Sequence, residues 1–106
     1  MVSGIVGSRM KNTNSGFLEP GWLQQPSSYG RVLVEKYLNT PVGWWNIVAP
    51  NGDACSLNPK IHTVTEHDDG TITVDPSIDM SINKPGGWHG WLVRGVFYDA
   101  WNRPPR

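Results

Sequence analysis

Three histidines, one cysteine and a few carboxylates are the side chains of this sequence that could do chemistry. His62, His67 and His89, with Cys55, Asp68 or Asp69, are the right types for a transition-metal site. Nothing in their spacing makes them converge. His67 falls in a turn beside two carboxylates, where solvation is the simpler account. His62 alternates with Ile61 and reads as a half-exposed strand residue. His89 stands between two tryptophans, as a ligand, a stacked ligand contact or a packed ring. A lone cysteine forms no intrachain disulfide and no Cys-only zinc site. Cys55 with a histidine would make a nucleophilic pair. No motif flanks it, so it reads as a small buried hydrophobe. Ser77 after Pro76 lacks the setting of a nucleophile elbow. Glu66, Asp68 and Asp69 share one turn without calcium-loop spacing, and Asp75 and Asp79 are expected to face solvent. No catalytic residue, metal or cofactor is assigned.

The aromatic residues are more telling. Trp44, Trp45, Trp88, Trp91, Phe97, Tyr98 and Trp101 cluster in two segments. The densest is Pro85-Gly86-Gly87-Trp88-His89-Gly90-Trp91-Leu92-Val93-Arg94-Gly95-Val96-Phe97. It opens on a turn and continues as a strand. Trp88, Gly90 and Leu92 fall on one face, and His89, Trp91 and Val93 on the other. Arg94-Gly95 then reverses the chain, which predicts a β-hairpin. A two-sheet domain has one inner face per sheet. Some of these rings are therefore expected to face outward, as protein contacts or as platforms for flat-ring or sugar ligands.

The rest of the chain must hold these rings in place. At 106 residues it is one small domain. Gly 12, Pro 9 and only 17 % charged residues are turn-rich, strand-rich composition. Lys+Arg and Asp+Glu are both 9, which argues against a nucleic-acid or anionic-membrane binder. No apolar run reaches the ~20 residues of a membrane helix, and Met1-Val2-Ser3-Gly4-Ile5-Val6-Gly7 is not a signal peptide. The unpaired cysteine suits a reducing compartment. Strands are expected at Val32–Leu38, Val42–Val48, Ala54–Leu57, Lys60–Thr65, Thr71–Val74 and Ile78–Ile82, before the aromatic hairpin. Asn51-Gly52 should make a hairpin turn with φ > 0 at both central residues. Asp68-Asp69-Gly70 marks another turn and Asp75-Pro76-Ser77 a break. About seven short strands at this spacing predict an all-β fold, a small antiparallel sandwich or barrel. Residues 1–30 show no period of 2 or 3.6 and carry isolated apolar residues. They are expected to form an extended N-terminal arm lying on a partner or a neighbouring copy. The compact domain is expected over 31–100 and a tail over 101–106, where Pro104-Pro105 cannot join a ladder.

The segment Gly87-Trp88-His89-Gly90-Trp91-Leu92-Val93-Arg94-Gly95-Val96-Phe97 resembles the C-terminal part of small proteins of unknown function encoded mainly by tailed bacteriophages and prophages. These often end in Gly-Trp-His-Gly-aromatic followed by a short Gly turn. Upstream they carry a Pro-Ser-Ile or Pro-Ser-Val step, which Asp75-Pro76-Ser77-Ile78 matches here. Asn51-Gly52-Asp53 matches a further turn. The resemblance covers about residues 43–98. Many members carry paired cysteines suggestive of a zinc ribbon, and this chain, with Cys55 alone, departs from that. The resemblance implies a phage setting and no particular chemistry.

Together these readings lead to a non-enzymatic virion structural or accessory protein, such as a capsid decoration or a tail or connector accessory. Its location would be the virion, and the host cytoplasm during assembly. It would be multi-copy or homo-oligomeric and would dock on other virion proteins, such as the major capsid protein or a tail or connector protein, without nucleic acid or membrane. The expected interface is Ile5, Val6, Met10, Phe17, Leu18, Trp22, Trp44, Trp45 and Trp101. The alternative is a phage-encoded module that binds a nucleotide or sugar. There Trp88, His89 and Trp91 would stack on the ligand and Arg94 would hold a phosphate or carboxylate.

Overall fold

The computed structural model describes residues 4–9, 19–24, 41, 43–82 and 85–100. Among the described residues it is all-β, with nine strands where about seven were expected. They are β1 (Ile5–Val6), β2 (Ser8–Arg9), β3 (Gly21–Gln24), β4 (Trp45–Val48), β5 (Ala54–Leu57), β6 (Thr63–Glu66), β7 (Ile72–Asp79), β8 (His89–Val93) and β9 (Val96–Asp99). A five-stranded sheet runs β1-β9-β8-β7-β6, and a four-stranded sheet runs β2-β3-β4-β5. All pairs are antiparallel except β2 with β3.

The core forms where the inward rows of the two sheets meet. The four-stranded sheet contributes Trp22, Trp45, Ile47 and Leu57, with Ala49 just beyond β4. The five-stranded sheet contributes Ile72, Val74, Ile78, Leu92 and Phe97, with Met80 and Trp88 just outside its strands. Trp88 meets Phe97 edge-on, at 5.8 Å between centroids and 79° between planes, a favoured arrangement for two quadrupolar rings. The alternation expected for Ile72 and Val74 is present, with both buried. β4 is buried along all four residues. Inside it, Asn46 Oδ1 accepts the Ser56 hydroxyl hydrogen bond at 2.8 Å.

The expected boundary at residue 31 is not where the sheets begin. β1, β2 and β3 lie within 1–30 and pair with β9, with each other and with β4. The chain therefore enters both sheets before residue 25, and Trp22 belongs to the core. These strands are two to four residues long, too short to display a period, so only their partners define them. The strand expected at Val32–Leu38 and the tail at 101–106 lie outside the described residues.

Three local expectations change. The Asn51-Gly52 turn exists, but only Gly52 has positive φ, at 89°. Gly52 N–H donates to Ala49 O at 2.9 Å, and Ala49 N–H donates to Asp53 O at 2.7 Å. This is a type I turn closed by a glycine bulge. Pro50 presets the first turn position and leaves the positive φ to Gly52 alone. The two-residue turn with φ > 0 at both positions is Arg94-Gly95, at 45° and 78°. Second, Asp75-Pro76 does not end a strand. β7 runs through it, with a register shift against β8 between Val74 and Ile78. Proline has no N–H for the ladder, and a bulge is where a strand can carry one. Third, the edges of two expected strands fall in turns. Ile61 N–H and His62 N–H both donate to Asn58 O, leaving Ile61 exposed. Ile82, beyond the end of β7, is exposed as well.

Candidate functional site

Strand alternation builds one surface directly. Along β8 the burial runs exposed, buried, half-buried, buried, half-buried, so His89, Trp91 and Val93 face outward as their spacing predicts. Trp91 sits opposite Tyr98 and Val93 opposite Val96 on β9. Val96 in turn sits opposite Val6 on β1. Directly opposed residues share a face, so an apolar band crosses three strands, from Trp91 and Tyr98 to Val6. His89 and Trp91 stack with centroids 6.2 Å apart and planes 27° apart. The band ends on β1, a two-residue edge strand, at Val6, which is 77 % exposed. Ile5, opposite the buried Phe97, lies on the other face.

A second feature is a cleft of about 380 Å³ between the β4–β5 hairpin and the end of β7. Asp53, Cys55, His62, Ile78, Asp79 and Met80 are among its lining residues. Most of its polar groups already have structural tasks. Asp53 Oδ2 accepts the Trp88 N–H at 3.0 Å. The Ser77 carbonyl, which can only accept, bonds His62 Nε2 at 3.0 Å, so that nitrogen carries the proton. Ser77 Oγ lies 3.3 Å from His89 Nε2. The Ser81 hydroxyl and then its N–H donate to the Asp79 carboxylate and hold it below the usual carboxylate range. The described lining carries no Lys or Arg, so nothing there would grip a phosphate.

Cys55 lies on the cleft wall and packs against the core. Burial pushes its thiol from 9.0 up to about 11, because a thiolate there would lose its hydration. The thiol is therefore neutral at neutral pH and is not an activated nucleophile. A raised folded-state value stabilises the fold fully below 9.0, and that contribution is lost as pH rises toward about 11. Iodoacetamide at neutral pH is expected to alkylate Cys55 far more slowly in the folded chain than in the urea-unfolded chain, read by intact mass. Equal rates would mean that the thiol is not desolvated.

The expected site residues divide. Of the ligand set Trp88, His89, Trp91 and Arg94, only His89 and Trp91 come together. Trp88 is on the opposite face of the strand, in the core. Arg94 is at the far end of β8, where its N–H donates to Thr73 Oγ1. Of the interface set, Ile5 and Val6 are exposed, whereas Trp22 and Trp45 are buried at 2 % and 8 %. Their rings face the opposing sheet and are not available to a partner. The Arg9 guanidinium covers the Trp45 ring at 5.4 Å and ion-pairs with Glu66 at 3.0 Å. Trp44 is half-buried. Met10, Phe17, Leu18 and Trp101 lie outside the described residues. His62 and His89 both reach Ser77, one at its carbonyl and the other at its hydroxyl, whereas His67 stands apart and bonds Thr73 Oγ1 at 2.7 Å. Among the described residues no group of three or more His, Cys, Asp or Glu is placed to hold a metal ion. The spacing set Val93 on the face of His89 and Trp91, and Tyr98 was among the clustered aromatics, but neither they nor Val96 entered the expected interface, although the alternation in Val96-Phe97-Tyr98 carried the signal. It also passed over the cleft, whose walls come from separate segments with no shared spacing. Compared with protein-family models, curated proteins and solved structures, the chain matches none.

Proposed function

We propose that this chain is a non-enzymatic accessory protein of a bacteriophage particle, a capsid decoration or a tail or connector accessory. It docks through the outer face of its five-stranded sheet. The observation that carries the docking reading is the apolar band from Trp91 and Tyr98 across Val93 and Val96 to the exposed Val6. Val6 is exposed and the other four residues are half-buried. An apolar face left partly open to solvent marks a contact, and an edge strand offers backbone groups to a further strand. The phage setting rests on the resemblance over residues 43–98. The reading also gains from the groups that could have done chemistry. Asp53, Asp79, His62 and His67 are each engaged by neighbouring backbone or hydroxyl groups. The docking element shifts from a free N-terminal arm to the sheet face and its β1 edge, since Trp22 is used internally.

The test is the copy number of the chain in purified particles assembled from the genome that encodes it, measured by quantitative mass spectrometry. Stoichiometric incorporation is expected. The double variant Val6→Asp, Val96→Asp, confirmed folded by circular dichroism, is expected to fall roughly tenfold or more, as for loss of a contact hot spot. Absence of the wild-type chain from the particles would end the phage-accessory reading. Unchanged incorporation of the folded variant would end the assignment of this face.

A further inference from the structure

The β4–β5 turn ties an Asn-Gly pair to the start of the aromatic hairpin. Asn51 Oδ1 accepts the Asp53 N–H at 2.9 Å, and Asn51 Nδ2 donates to Asp53 Oδ2 at 2.8 Å. The same Oδ2 accepts the Trp88 N–H, 35 residues further along the chain. One carboxamide thus orients one carboxylate, and that carboxylate anchors the backbone just before the strand that carries His89 and Trp91. Asn51 and Gly52 are both exposed. An asparagine followed by glycine is the pair whose side-chain carbonyl is most open to attack by the next backbone nitrogen, because glycine places no Cβ in the way.

We propose that Asn51 is a deamidation site, held in check by this clasp while the turn is closed, and that its conversion releases Trp88. The Gly52 nitrogen gives its proton to solvent and forms a bond to Asn51 Cγ. The Cγ–Nδ2 bond breaks, and Nδ2 takes a proton and leaves as ammonia. One water then opens the cyclic imide, leaving aspartate or isoaspartate at position 51. There is no change in oxidation state. In the closed turn the Gly52 N–H is committed to Ala49 O, and both polar atoms of the carboxamide are committed to Asp53. The reaction therefore requires local opening of the turn. Its product cannot donate to Asp53 Oδ2. Two like charges stand where a hydrogen bond stood, and they repel. Asp53 is then driven off its present position, and the Trp88 N–H loses its acceptor. Gly52 and Asp53 line the cleft, so the cleft wall moves too.

The full chain, incubated at mildly alkaline pH with and without urea, is mapped by mass spectrometry that separates aspartate from isoaspartate. Conversion at Asn51 is expected to be roughly tenfold or more slower in the folded chain. Equal rates in the two states would overturn the clasp. Amide hydrogen exchange on the Asn51→Asp variant tests the second half. Trp88 is expected to exchange roughly tenfold faster, with Leu92 unchanged. Unchanged Trp88 exchange, or equal acceleration at Leu92, would overturn a local release.

Discussion

Replacing Trp22 by alanine is expected to cost about 3–5 kcal/mol, a large share of the roughly 5–15 kcal/mol that holds a small domain together. Trp22 is 2 % exposed and stands on β3 opposite Ile47. Its ring reaches across to the other sheet. Ring atoms lie 3.1 Å from where a Cβ on Gly7 would sit and 3.0 Å from the same point on Gly95. The indole therefore fills the space between the crossing from β1 to β2 and the β8–β9 turn. Alanine would leave a cavity bounded by backbone that cannot collapse into it. Trp22→Phe is expected to cost far less. The indole N–H is buried with no acceptor among the described residues, and phenylalanine removes that penalty of about 1–3 kcal/mol while losing part of the ring. Urea unfolding followed by far-ultraviolet circular dichroism reads both variants. A Trp22→Ala chain within about 1 kcal/mol of wild type would mean that the N-terminal segment is peripheral. The expected result also means that a chain begun at residue 31 lacks three strands and a core tryptophan, and does not fold.

Gly90→Ala is expected to destabilise the hairpin by about 3 kcal/mol, the upper end of what overpacking costs. Gly90 sits between β7 and β9, opposite Ile78 on one side and Asp99 on the other. A Cβ there would run into the backbone carbonyl oxygen of Tyr98, and into the Trp88 ring at 2.6 and 2.7 Å. The ring could yield only by leaving its edge-on place against Phe97. The carbonyl belongs to the backbone of the neighbouring strand and cannot turn away without disrupting the ladder. The damage falls between His89 and Trp91, so the outward band should lose its order together with the core. A Gly90→Ala chain with an unchanged thermal midpoint would show that β8 and β9 leave room for a methyl group beside the Tyr98 carbonyl, against this close approach.

Much of the C-terminal half could be read from residues alone, and the reasons are local. The period of two from Trp88 to Val93 survives folding because each residue faces the side its neighbour does not. Asp68-Asp69-Gly70 turns as expected, because Gly70 supplies a positive φ, at 86°. The all-β character followed from turn residues and β-branched runs, which act within a few residues of themselves.

The destination of the segments without a period was set by long-range packing. Ile5-Val6 and Ser8-Arg9 are strands because β9 and β3 are beside them. A two-residue run has no internal signal to announce this. Trp22 looks the same in sequence whether it meets a partner or its own core, and the choice falls to the inward row of the opposing sheet. The Asn51-Gly52 turn was visible, but its type depended on Pro50 and on the bulge that closes it. The meeting of Asp53 with Trp88, and of Cys55, His62 and Asp79 around one cleft, joins segments that share no spacing. Local sequence determines which way a residue points along its own strand. Only the packing of two sheets determines what it points at, because that contact is made across tens of residues of chain.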